Sequence, residues 1–161
     1  MTAAVVIGVG NSYRRDDGVG PAVAAAVEAL ALPGVRVLRC GNETTAILDA
    51  WAGAGLAVVV DAAVVDSTEG GEPGRVRQCE LDELAVQRPV SSHELSLRQT
   101  YDLACALDRA PGRVVVVTVD VADTGHGVGL SPAVAAALPE ALGVVARAVG
   151  EQAQKTGHEQ P

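Results

Sequence analysis

The chain has 161 residues, enough for one domain with a sizeable core but not comfortably for two. Its formal net charge is −8, from 20 acidic and 12 basic residues. This balance argues against nucleic acid or an anionic membrane as partner, because both attract clustered Lys and Arg. The three cysteines form no CxxC pair, so we expect buried, reduced thiols rather than a zinc ribbon or a redox dithiol. With no signal peptide and no apolar run of about 18 residues, a cytoplasmic protein is expected.

The first half of the chain alternates apolar runs with helical patterns. Strands are predicted over residues 3–8, 35–40 and 56–60. The helix after the first strand is expected to bury one face, formed by Val19, Val23, Val27 and Leu30. Asp16 or Asp17 is expected to cap this helix. A second, short helix is predicted over residues 43–51.

The second half begins with a polar, glycine-rich loop and continues the alternation. After the loop at 66–74, an edge strand is predicted over 75–79, a helix over 91–108 and a strand over 113–119. The buried face of that helix is predicted to contain Leu97, Tyr101, Ala104 and Cys105. A last helix begins at Ser131-Pro132, and Pro139 is expected to kink or break it.

Strands alternating with helices predict an α/β fold. The expected architecture is a three-layer sandwich, in which a mostly parallel, twisted sheet of about five strands has helices on both faces. No internal repeat or interdomain linker is found. Residues 1–150 are therefore assigned to a single domain, and the polar stretch 151–161 to a disordered tail.

Three ionisable residues are predicted near one edge of this sheet. Asp17 opens the helix after the first strand, Asp61 ends the third strand, and His93 begins a later helix. In open α/β sheets, ligands bind outside the carboxyl ends of the strands. Two carboxylates and an imidazole suit a divalent transition metal, which would polarise a carbonyl and lower the pKa of a bound water.

Each of the three residues also has a simpler interpretation. Asp17 would serve as a helix cap, Asp61 as a turn residue, and His93 as a capping or surface residue. On spacing alone, the metal site is not favoured over these alternatives.

Other chemistries fit the sequence less well. The glycine-rich turn GVGNSYRRDDGVG has Tyr13 where a dinucleotide fingerprint needs its third glycine, and no G-K-[ST] of a P-loop occurs. There is no G-x-S-x-G elbow. Cys40 has no histidine nearby in sequence to activate it. Neither serine nor cysteine catalysis is expected.

The turn GVGNSYRRDDGVG resembles the N-terminal signature of the hydrogenase maturation proteases. The resemblance continues in VVVDAAV at 58–64, SSHELSL at 91–97 and GVGLSPAV at 127–134, in the same order and at similar spacing, up to about residue 149. The chain departs from the family at 40–45, where many relatives carry D-G-G-T-x-G and this sequence has CGNETT. That difference leaves the substrate subclass open.

The resemblance implies an endopeptidase that removes a C-terminal extension from the large-subunit precursor of a nickel–iron hydrogenase after nickel insertion. The family's two acidic residues and one histidine correspond to Asp17, Asp61 and His93, which the resemblance makes both catalytic and metal-binding. Nickel would be supplied by the substrate, with other divalent transition metals able to substitute. The chain is expected to be a monomer, and its expected partner is the nickel-loaded precursor. The alternative function is a non-catalytic sensor or chaperone of nickel loading.

Two further residues are candidates for the same edge. Glu43 is expected to cap the helix that follows it, with metal ligation or peptide binding as alternatives. His126, in the loop after the last strand, is a second candidate.

Overall fold

The fold is built on a five-stranded sheet with helices on both faces. The computed structural model describes residues 3–41, 43–65, 71–81 and 92–158, with the backbone alone for 92–96 and 156–158. The strands are β1 (Ala4–Val9), β2 (Val35–Cys40), β3 (Leu56–Val64), β4 (Val76–Glu80) and β5 (Val114–Val121). The helices are α1 (Val19–Ala29), α2 (Thr44–Trp51), α3 (Ser92–Ala106) and α4 (Pro132–His158), and a 3-10 turn (Arg15–Gly18) precedes α1.

The strand order is β2-β1-β3-β5-β4, and every pair is parallel except the antiparallel pair of β4 with β5. This confirms the predicted mostly parallel sheet with an edge strand. After β1 the chain moves outward to β2 and then returns to β3 on the other side of β1. The order therefore reverses between β1 and β3, which is where ligands bind in such sheets.

Two apolar layers cover the sheet and follow the alternation of side chains along each strand. Val6, Val58 and Val117 belong to the layer that packs against α1 and α4. On the opposite face, residues such as Val5 and Val59 pack against α2 and α3. The predicted helices on both faces are thus confirmed.

Asp61 lies inside β3 rather than at its end, so the predicted strand end is wrong. Pairing of β3 with β1 stops at Val60, which faces Gly8. Pairing with β5 continues to Val64, because β5 itself extends to Val121. Asp61 is nevertheless the first residue of β3 beyond its pairing with β1.

The last helix differs from the prediction in two ways. It runs through Pro139 without a break, and it continues to His158, past the predicted end of the domain at residue 150. Between Pro132 and Lys155 it is long and apolar enough, by length and composition alone, to cross a membrane. A core helix passes the same test, and the side chains of Val134 and Val145 are fully buried in the layer against the sheet.

Several smaller predictions are also corrected. Leu30 lies just past the end of α1 and is 48% exposed, because the helix stops at Ala29. Cys105 is exposed on α3, so it is not part of the buried face. The loop prediction for residues 66–70, the predicted helix start at residue 91 and the last residues, 159–161, lie outside the described residues.

Candidate functional site

The start of α1 lies directly on the carboxyl ends of β1 and β3. A Cβ atom on Gly20 would stand 2.3 Å from the carbonyl oxygen of Val9 and 2.6 Å from that of Val60. Both contacts are with backbone, so only glycine fits there. The 3-10 turn before α1 contacts β3 as a result. The turn that carries Asp17 is therefore packed against the strand that carries Asp61.

Backbone N–H groups fix the orientation of both carboxylates. Asp17 Oδ2 accepts a hydrogen bond of 2.9 Å from the N–H of Asn11, and Asp61 Oδ1 accepts one of 2.8 Å from the N–H of Ala62. The side chains of Asp17 and Asp61 belong to half-buried residues. The backbone of Asp17 also packs closely against Gly10, where a Cβ atom would lie 2.0 Å from the carbonyl oxygen of Asp17.

Neither Asp16 nor Asp17 caps α1. The N-cap residue is Gly18, and no side chain caps the helix. The predicted capping role is wrong because the intervening 3-10 turn displaces both carboxylates from the helix start.

His93 lies in the first turn of α3. That helix leads into β5, which starts at the opposite edge of the sheet, so the first turn of α3 is at the end nearer the carboxyl edge. The side chain of His93 is not among those that the structure describes. Within the part of the chain whose side chains are described, no group of three or more His, Cys, Asp or Glu is placed to hold a metal.

The Cys40 thiol is held in its neutral form. Burial, followed by the negative charges of Glu43 and Asp61, raises its pKa from 9.0 to about 11. A thiol must be deprotonated to act as a nucleophile. The protonated thiol agrees with the expectation that Cys40 is not a nucleophile. The charges of Glu43 and Asp61 also make the surroundings of Cys40 negative.

The two secondary candidates occupy this same side of the molecule. Glu43 is the N-cap residue of α2, as predicted, although its side chain makes no capping hydrogen bond. His126 is exposed on the loop after β5. That loop pairs with the segment after β1, since the N–H of Gly127 donates to the carbonyl of Tyr13 at 2.9 Å.

A network between the loops after β1 and β5 was not expected from the sequence. Arg15 has a positive φ of 48°, and its Nη1 donates to Asp123 Oδ2 at 2.6 Å. The N–H of Gly125, together with this guanidinium, keeps the pKa of Asp123 below its usual value. Asp16 is 1% exposed and accepts hydrogen bonds from Ser131. These contacts position the turn that holds Asp17.

A partly buried ion pair lies beside Asp61 and was also missed. Thr118 faces Asp61 in the β3–β5 register, and Asp120 follows two residues later on the same face of the sheet. Asp120 is 0% exposed, and its Oδ2 accepts a hydrogen bond of 3.1 Å from Arg77 Nη2. In the described part of the chain, Asp120 Oδ1 and Arg77 Nε have no hydrogen-bond partner.

Comparisons with known proteins agree with this architecture. A family model described as "Hydrogenase maturation protease" matches residues 21–148, a segment that includes Asp61 and His93 and begins after Asp17. No curated protein sequence matches the chain.

Solved structures share the fold. One is hydrogenase maturating endopeptidase HybD from E. coli, with a TM-score of 0.79, 24% identity and 92% of each chain covered. Another is the [NiFe] hydrogenase maturation protease HybD from Thermococcus kodakarensis, with a TM-score of 0.74 and 23% identity over 91% of this chain and 98% of that one. A third is HycI of the same archaeon, at 0.67 and 23% over 92% and 93%.

Proposed function

Because the chain belongs to the hydrogenase maturation protease family, we propose that it removes the C-terminal extension of the large-subunit precursor of a nickel–iron hydrogenase. Membership makes the chain an endopeptidase, a hydrolase that acts in hydrogenase maturation. The proposal adds the timing of cleavage, which follows nickel insertion. It also adds the means of recognition, which is the nickel already bound in the precursor.

Asp17, Asp61 and His93 are proposed to contact that nickel. The observation that carries the proposal is the close approach at Gly20, which packs the turn of Asp17 against the strand of Asp61. Asp17 and Asp61 lie next to the point where the strand order reverses. Carboxylate oxygens and an imidazole nitrogen are suitable ligands for a divalent transition metal.

The chemistry proposed for this edge is hydrolysis of a peptide bond held beside the nickel of the substrate. The hydroxyl of a water molecule adds to the carbonyl carbon, the C–N bond breaks, and a proton passes to the departing amine. Nickel would polarise the carbonyl, and a carboxylate of the edge would move the proton. Cys40 is not assigned a part, since its raised pKa keeps the thiol protonated at neutral pH.

Recognition through the nickel of the substrate would couple cleavage to completion of the metal centre. A precursor without nickel would lack the contact that Asp17, Asp61 and His93 provide, so it would bind weakly. The protease itself then needs no resident metal. We further propose that it acts in the cytoplasm and as a monomer; its three cysteines are free thiols.

The test is a trimming assay on purified, nickel-loaded precursor, read by mass spectrometry of its C-terminus. The wild-type chain should remove the extension, and it should leave a nickel-free precursor intact. Asp61→Asn, Asp17→Asn and His93→Ala should each abolish trimming while keeping the circular dichroism and the unfolding midpoint of the wild type. Asp49→Asn is the matched control, because Asp49 is an exposed acid of α2 that pairs with Arg109.

The outcomes separate three conclusions. Normal trimming by both Asp61→Asn and His93→Ala would overturn the assignment of the site. Equal trimming of the nickel-free precursor would overturn recognition through nickel. Nickel-dependent binding without any trimming would show a sensor of nickel loading instead of a protease.

A further inference from the structure

A groove of about 610 Å³ runs along the sheet face covered by α1 and opens at the carboxyl edge. One wall is a half-buried side of α1, and the other walls are the end of β2 and the loop before α4. Its lining includes Gly10, Gly18 and Cys40, which adjoin the turn of Asp17. A volume of this size falls within the range of pockets that bind small ligands and short peptides.

Arginine side chains line this groove in an otherwise acidic chain. Two arginines, Arg15 and Arg39, line it, and none of the described residues that line it is acidic. The overall composition is 20 acidic to 12 basic residues, so this local excess departs from the general balance. The negative charges of Glu43 and Asp61 act on Cys40, whose side chain packs on the other face of β2, so an anionic group would be attracted on the Arg39 side of the groove.

Of the two arginines, Arg39 is the one whose charge is not paired with a described acidic residue. Arg15 is paired with Asp123 at 2.6 Å. Arg39 is exposed near the end of β2, and in the described part of the chain it forms no ion pair. Its guanidinium is therefore available for a carboxylate, which it is able to bind through two parallel hydrogen bonds.

The rest of the groove suits a peptide. Pro21, Ala22 and Ala25 give α1 a wall of small side chains, and Val128 at the rim is 79% exposed. Tyr13, on the segment paired with the Val128 loop, is 73% exposed. Exposed apolar side chains next to a charged groove are typical of protein-binding surfaces.

From these features we infer that the groove holds the part of the substrate that is cut off, and that Arg39 binds a carboxylate of that extension. The inference rests on the proposed function and adds a determinant of substrate specificity. The carboxylate comes from an acidic side chain of the extension or from its C-terminus. Arg39 acts on affinity and takes no part in bond breaking, because it lines the groove and is not one of the three residues proposed to contact the nickel.

The experiment measures binding separately from trimming. The probe is a synthetic peptide with the sequence of the extension from the hydrogenase large subunit of the same organism, titrated into the full-length chain by calorimetry. Arg39→Gln should raise the Kd about fivefold, as expected for loss of an exposed charge pair. Arg36→Gln, an exposed arginine of the same strand that is outside the groove, should leave the Kd unchanged.

Two altered peptides identify the source of the carboxylate. A C-terminal amide removes the terminal charge, and replacement of Asp and Glu by Asn and Gln removes the side-chain charges. With the wild-type protein, the peptide that lacks the relevant carboxylate should have a Kd about fivefold higher than the unaltered peptide. With the Arg39→Gln protein, the two peptides should have the same Kd.

Binding and trimming assays test the inference and the proposed function separately. The inference would be overturned if the wild type and Arg39→Gln had equal Kd values, or if the peptide did not bind the wild type. Trimming of the precursor by the wild type would still uphold the proposed function. In trimming assays, Arg39→Gln should raise the KM for the precursor and leave kcat unchanged, because a contact made equally in the ground and transition states affects KM alone.

Discussion

The carboxylate of Asp16 accepts two hydrogen bonds from Ser131, one of 2.6 Å from its N–H and one of 2.8 Å from its hydroxyl. The two residues are 115 positions apart, so this contact joins the loop after β1 to the loop before α4. Asp16 is almost completely buried. Since Asp17 is the next residue, the anchor also fixes the carboxylate that we assign to the site.

Replacing Asp16 by Asn should destabilise the protein. Asn keeps one oxygen to accept from the Ser131 N–H, and its amide donates to the Ser131 hydroxyl, so both hydrogen bonds lose the charge that strengthens them. The free energy of unfolding should fall by about 1–3 kcal/mol, whereas Ser131→Ala, which loses only the hydroxyl bond, should lower it by about 1 kcal/mol. Urea denaturation followed by circular dichroism measures both.

Asp102→Asn is the control for this pair, because Asp102 is exposed on α3 and its replacement should change stability by less than about 0.5 kcal/mol. If Asp16→Asn is as stable as this control, the contact with Ser131 does not hold the two loops together.

Gly20→Ala should disturb the fold and the site together. The added methyl group would meet the carbonyl oxygens of Val9 and Val60, which cannot rotate away. We expect a loss of about 1–3 kcal/mol in unfolding free energy. We also expect trimming to fall at temperatures where the variant is fully folded, because the turn of Asp17 is pushed away from β3.

Gly143→Ala is the matched substitution on α4. A Cβ there would meet no atom within 4 Å, so the better helix propensity of alanine should stabilise the protein by up to about 1 kcal/mol. Equal effects of the two substitutions on stability would contradict the close approach at Gly20.

The Cys40 thiol should react slowly at neutral pH. Its pKa of about 11 in the folded state exceeds the ordinary 9.0, so the folded protein keeps the proton to a higher pH than the unfolded chain does. The stability that this proton contributes is present below pH 9 and should be lost as the pH rises towards 11. Alkylation by iodoacetamide, mapped by mass spectrometry across this range, measures the titration.

Exposed Cys105 provides the internal comparison for alkylation. Asp61→Asn should lower the pKa of Cys40 only partly, because burial is its largest cause. Rapid alkylation of Cys40 at pH 7 would contradict the raised pKa, and loss of trimming in a stable Cys40→Ala variant would reopen cysteine catalysis.

Removal of Arg77 should be more harmful than removal of its whole ion pair. Arg77→Met leaves the buried carboxylate of Asp120 without its cation, which should lower the unfolding free energy by about 3–5 kcal/mol. The double variant Arg77→Met/Asp120→Leu should recover most of that loss, because no buried charge remains. Chemical denaturation of the single and double variants gives the comparison.

A double variant as unstable as Arg77→Met would indicate that the pair itself is required to join β4 to β5. Arg75→Met, on the same segment, is the control for loss of a positive charge.

The sequence was sufficient for the order of the elements and for their type. Residues 35–40 form the predicted strand and pair with β1, and α1 buries Val19, Val23 and Val27 at the predicted spacing. Where local patterns compete with tertiary contacts, prediction failed. β3 continues past Asp61 because β5 offers a pairing partner, and α4 continues through Pro139.

The sequence by itself determined which residues are able to bind a metal, because carboxylate and imidazole chemistry belongs to residue type, and which family the chain resembles. Tertiary structure alone decided that the turn of Asp17 lies on β3, because that approach depends on the missing side chain of Gly20 and on two strand ends far apart in sequence. It also decided the partners of Asp16, Arg15 and Asp120, since each hydrogen bond joins segments that no local pattern relates.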